Sequence, residues 1–103
     1  MKLKLVIDGK DKTFSTGNRL PALIFKRALN VATKLQKSTD DPTKLMEALD
    51  HAVDFIAEDL FHGKFTADEF WEGIQSDNLM DVVQQCLSHP IERISSAMSE
   101  SKN

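Results

Sequence analysis

The sequence has no tyrosine, one tryptophan, one cysteine and three prolines in 103 residues. Cys86 has no partner for an internal disulfide, which fits a reducing compartment. No stretch approaches the roughly 20 apolar residues that a membrane-spanning helix needs, so no membrane partner is expected. No secretory leader is expected either: Lys4 and Asp8 interrupt Leu3–Ile7 before an apolar region can form. The chain is expected to stay in the cytoplasm where it is made. Its four glycines are scattered over turn and cap positions, which excludes a Gly-rich phosphate loop. No serine sits in a nucleophile elbow. Zinc-ligand spacing, aromatic interleaving of basic residues and helix-turn-helix patterning are all missing, which sets nucleic acid aside.

What is present is a divided charge. Residues 1–44 hold ten Lys/Arg and four Asp/Glu, whereas residues 45–103 hold three and twelve. Two solvated faces of one domain explain this. So does attraction of different partners, or of neighbouring copies in self-association, by the two ends.

Periodicity places the elements. Leu3, Leu5 and Ile7 alternate with Lys2, Lys4 and Val6, the period of a strand with one apolar face. Asp8-Gly9 is a hairpin turn, and Lys12–Thr16 returns with Phe14 facing in. Gly17-Asn18 is a break, with Asn18 as a cap and Pro21 in the first helical turn. From Arg19 to Lys37 the apolar residues occupy an arc of roughly 160°, where a core stripe needs about 100°. The surplus, mainly Phe25 and Leu29, is either wrapped by the hairpin or left for a partner. Asp41 before Pro42 caps a second helix, which runs to Phe61 with Leu45, Leu49, Ala52, Val53, Ile56 and Leu60 inward. Phe55 and Phe61 fall off that stripe, and Glu47, Asp50, Asp54 and Glu58 form an acidic ridge opposite.

Phe65–Gly73 is the corner on which the rest turns. Thr66 and Glu69 have capping-box spacing, and Phe65 and Phe70 have the spacing of a hydrophobic staple. Trp71 is either core or a partner contact, since interfaces are enriched in Trp. A further helix starts near Ser76 and is broken by Pro90, with Ile91, Ile94 and Met98 suggesting a weak turn or two more. The expected fold is α+β, mostly α: an N-terminal β-hairpin followed by a small bundle of about four helices. A single domain spans 1–94, with the hairpin at 2–16, helices near 19–37, 42–61, 67–73 and 77–89, and a disordered tail at 95–103.

Chemistry finds little to use. His51, Asp54, Glu58 and His62 share one side of the second helix, but they lack HExxH spacing and no other element supplies ligands. Cys86 lies on an apolar helix face, as an inert buried thiol does. No catalytic residue, cofactor or metal site is expected, and no enzyme activity.

Several segments form a recognisable pattern: Ile7-Asp8-Gly9-Lys10 with Thr13-Phe14, then the basic Ile24-Phe25-Lys26-Arg27-Ala28-Leu29. The most specific part is Phe61–Gly73, with Phe61-His62-Gly63-Lys64-Phe65-Thr66, Asp68-Glu69, Phe70-Trp71 and Gly73. In these segments the sequence resembles the phage tail assembly chaperones of long-tailed phages and prophages of Gram-positive bacteria. The likeness extends from about Leu3 to Leu87. It implies a non-enzymatic protein that coats the tape measure protein before the tail tube polymerises, in the host bacterial cytoplasm, and is absent from the mature virion. It also implies a frameshifted longer form that recruits the major tail protein. Phe25, Leu29 and Phe55, with Trp71, are the expected partner contacts. A structural tail or head-completion protein retained in the virion, and a small regulatory adaptor or antitoxin-like protein, remain alternatives.

Overall fold

The computed structural model describes residues 1–17 and 19–101, with side chains as far as Met98. An antiparallel hairpin opens the chain, with β1 at Lys2–Ile7 and β2 at Lys10–Ser15. Asp8 and Gly9 have φ of 53° and 77°, the two left-handed residues of a type I′ turn. That turn fixes the register, pairing Leu3 with Phe14 and Leu5 with Lys12. Alternation then sends Leu3 and Leu5 into the core and leaves Lys2 and Lys4 in water.

Helix α1 spans Ala22–Lys37. Pro21 is its N-cap residue rather than part of its first turn, and no side chain caps it. The expected cap at Asn18 lies outside the described residues. Lys34 and Lys37 complement the negative end of the helix dipole. Helix α2, Pro42–Phe55, starts as expected: the Thr43 and Lys44 N–H groups donate to Asp41 Oδ1 at 3.0 and 3.4 Å. It runs on into a π-helical segment, Ile56–Leu60, where the Phe61 N–H reaches back five residues to the Ile56 carbonyl at 3.0 Å. His62 and Gly63, with φ of 56° and 74°, then turn the chain out of the helix.

The core forms around α2, which packs against α1, α3 and α4. A helix enclosed on three sides buries more than one stripe, so Phe55 and Phe61 are both buried. The wider π turn helps to bring Ile56, Ala57, Leu60 and Phe61 inward together.

Helix α3, Ala67–Gly73, carries the expected capping box. The Glu69 N–H donates to Thr66 Oγ1 at 3.1 Å, and the Thr66 N–H donates to Glu69 Oε1 at 2.9 Å. Phe65 and Phe70 close the staple with ring centroids 6.3 Å apart. Phe65 also touches Phe61 at 5.1 Å and Phe14 at 5.0 Å, so rings from the helix end, the corner and β2 meet. Such pairs add ~0.5–1.5 kcal/mol each beyond their burial. The hairpin therefore lies on α3 and the corner, and does not wrap Phe25 and Leu29.

Gly73 is tight for a reason other than its end position. A Cβ there would stand 2.8 Å from the Val6 carbonyl oxygen and 3.1 Å from Leu5 Cβ. The absence of a side chain is what lets α3 approach β1.

A 3-10 turn, Ser76–Asn78, leads into α4, Leu79–Ser101. Here the structure corrects the expected break at Pro90: the helix continues through it, and residues 95–101 are helical rather than a loose tail. Proline removes one hydrogen bond and crowds the preceding turn. Packing on α1 offsets that cost, because Pro90 is buried and the turns beyond it lie beside Leu20 and Phe25.

Candidate functional site

The two flanks of α1 carry different surfaces. On the side facing α2, Arg27 and Lys34 line a shallow cleft of about 230 Å3 against His51, Asp54, Glu58 and Asp59. Arg27 Nη1 meets Asp59 Oδ1 at 2.8 Å. Both side chains are substantially exposed, so the pair contributes only ~0–1 kcal/mol. Among the described residues, no three His, Cys, Asp or Glu side chains gather as a metal site requires.

The side of α1 facing α4 is apolar. Leu20, Phe25, Pro90, Ile94 and Ala97 line a cleft of about 210 Å3, with Arg93 at its edge. Phe25 and Ile94 are half-buried. Leu29, one turn beyond Phe25, is 42% exposed, and Met98, one turn beyond Ile94, is 60% exposed. Phe25 and Ile94 give the body an apolar strip outside its buried core, and Leu29 and Met98 are exposed one turn further along their own helices.

The four expected contact residues fall in three places. Phe25 lines the α1–α4 cleft, and Leu29 is exposed one turn further along α1. Trp71 is half-buried on the corner, edge-on to Phe70 at 6.4 Å and away from that strip. Phe55 is 4% exposed and faces the core at the foot of the charged cleft. The structure thus brings together two of the four. Ile94 and Arg93 join Phe25 from α4, with Met98 exposed one turn beyond Ile94, and these were not singled out as contacts because Pro90 read as a helix end. The spacing of Ile91, Ile94 and Met98 across the proline carried the signal.

Burial pushes the Cys86 thiol up to about 12, so it stays protonated. His89 is lowered by burial, and further by the N-terminal ammonium and Arg93, with Glu92 opposing. Both belong to α4, and neither faces a second catalytic group in any cleft described above.

No helix among the described residues is long and apolar enough to cross a membrane. No curated protein and no solved structure matches this chain. A family model described as phage tail chaperone protein matches residues 1–103. A small hairpin-and-helix body with an exposed apolar strip suits that description, and the chain belongs to the phage tail chaperone protein family.

Proposed function

We propose that this protein binds the tape measure protein of its phage and keeps it soluble until the tail tube polymerises, without catalysing a reaction. Membership of a tail chaperone family supports a role in tail assembly and binding to other tail proteins. The observation that carries the finer reading is the strip of Phe25, Leu29, Ile94 and Met98, exposed or half-buried at the surface. An unassembled helical rod exposes apolar stripes that aggregate. A small domain that covers such a stripe with modest affinity protects it and still lets go. Many copies along one rod supply the avidity that one copy lacks. In this reading the protein works in the host bacterial cytoplasm and is gone from the mature virion. A longer frameshifted form would bring the major tail protein to the coated rod.

The test is co-expression with the tape measure protein encoded by the same phage. With the wild-type chain, the tape measure protein should stay in the soluble fraction and co-purify. A Phe25→Ser/Leu29→Ser variant with unchanged circular dichroism should leave it in the pellet. A tape measure protein that precipitates equally with and without the wild-type chain contradicts the proposal.

A further inference from the structure

The α1–α4 cleft is apolar at its floor and cationic at its rim. Its volume of about 210 Å3 exceeds the ~150 Å3 cavity that accepts a benzene ring. It falls below the ~300–1,000 Å3 of small-molecule pockets. That is room for one large apolar side chain presented by another protein.

Among the described residues, the charge nearest this cleft is mainly cationic. Arg93 is the one charged residue lining the cleft, Lys26 follows Phe25, and Arg19 precedes Leu20. Helix α1 carries no Asp or Glu along its length. The acidic neighbour is Glu92 on α4, which does not line this cleft but lines an adjoining one with Arg93 and Ala97, and another with Met1 and Gln85. The contrast with the opposite flank of α1 is informative. There Arg27 finds its counter-charge within the fold, at Asp59. Arg19, Lys26 and Arg93 have no ion-pair partner among the described residues. Cationic groups left unneutralised beside an open apolar cleft favour an anionic, amphipathic occupant.

We propose that the cleft seats an acidic amphipathic helix of the partner protein. One large apolar side chain enters between Phe25 and Ile94, and carboxylates about one turn to either side meet Lys26 and Arg93. The identity of the partner rests on the chaperone reading; the chemistry of its docking segment rests on this cleft. The rival occupant is a second copy of this chain, whose Met46 is 51% exposed and is followed by Asp50 one turn on.

The experiment uses the intact chain and two labelled, Ala-rich synthetic helices with the same Leu stripe. One carries Glu on its flanks and the other carries Lys at those positions. Fluorescence anisotropy should show saturable binding of the Glu helix, about tenfold tighter than the Lys helix and weakened by salt. Lys26→Glu/Arg93→Glu reverses two exposed charges without touching the core, so it should stay folded and invert the preference. Absence of binding by the Glu helix, equal binding of both helices, or a preference that survives the charge reversal each overturns the proposal. Sedimentation velocity of the chain alone supplies the remaining outcome. Self-association abolished by the same variant, and not displaced by the Glu helix, assigns the cleft to a second copy and also overturns it. If the Glu helix fails while the tape measure protein still co-purifies, this inference falls and the chaperone reading stands. If the Glu helix binds and the tape measure protein does not, the reverse holds.

Discussion

Gly73→Ala should destabilise the protein through packing, although alanine is the better helix former. Gly73 is helical and has no positive φ, so a side chain there meets no backbone strain. It meets β1 instead. The added Cβ would lie 2.8 Å from the Val6 carbonyl oxygen and 3.1 Å from both Val6 N and Leu5 Cβ, where ordinary contact begins at 3.4 Å. All three neighbours are backbone or first side-chain atoms, so no rotamer change relieves them. The hairpin and α3 must move apart, loosening Leu5 and Phe70, both fully buried. Overpacking of this kind costs ~1–3 kcal/mol, and the gain in helix propensity returns at most ~1 kcal/mol. A net loss of ~1–2 kcal/mol lowers the Tm by roughly 5–15 °C in a chain of this size. Thermal unfolding followed by circular dichroism measures it. Gly63 is the control, because its φ of +74° faces open space. There Asn, which tolerates the left-handed region, should be milder than Ala, whereas at Gly73 Asn should be worse than Ala. A Gly73→Ala protein as stable as wild type would refute the close-approach argument.

Three other perturbations read separate parts of the structure. Thr66→Ala removes the acceptor for the Glu69 N–H and should cost ~1 kcal/mol, seen as a lower urea midpoint with an unchanged slope. Cys86, held protonated by burial, should react with a thiol reagent at mildly alkaline pH only after denaturation; rapid labelling of the native protein would contradict its placement. His89 is lowered from 6.5 in the fold, so native and unfolded chains are both neutral there above that value. Below it the unfolded chain binds the proton first, so stability should fall as pH drops. His89→Gln should reduce that slope, and an unchanged slope would place the effect elsewhere.

The parts of the fold that are local in origin were legible in the sequence. Asp8-Gly9 sets its own turn, Asp41-Pro42 its own cap, and Thr66 with Glu69 the corner, because the atoms that satisfy each are within three residues. What escaped was set by distant packing. Pro90 reads as a breaker until α1 is found beside it. Phe55 and Phe61 fall off an ideal stripe until α2 proves to be enclosed on three sides and to widen into a π turn. Gly73 does end α3, but its close approach to β1 could not be read from the helix end alone. The candidate surface divides in the same way. Phe25 and Leu29 were visible as surplus apolar arc, while their companions Ile94 and Met98 lie on the stretch of α4 that the proline concealed.

The central claim is that many copies coat one tape measure rod. Light scattering coupled to size exclusion, applied to the co-purified complex, measures the number of chains per tape measure protein. Coating predicts a high copy number that falls in proportion when the tape measure protein is shortened. One or two copies per rod, unchanged by shortening, would mark the protein as an adaptor for a single site and contradict the coating account.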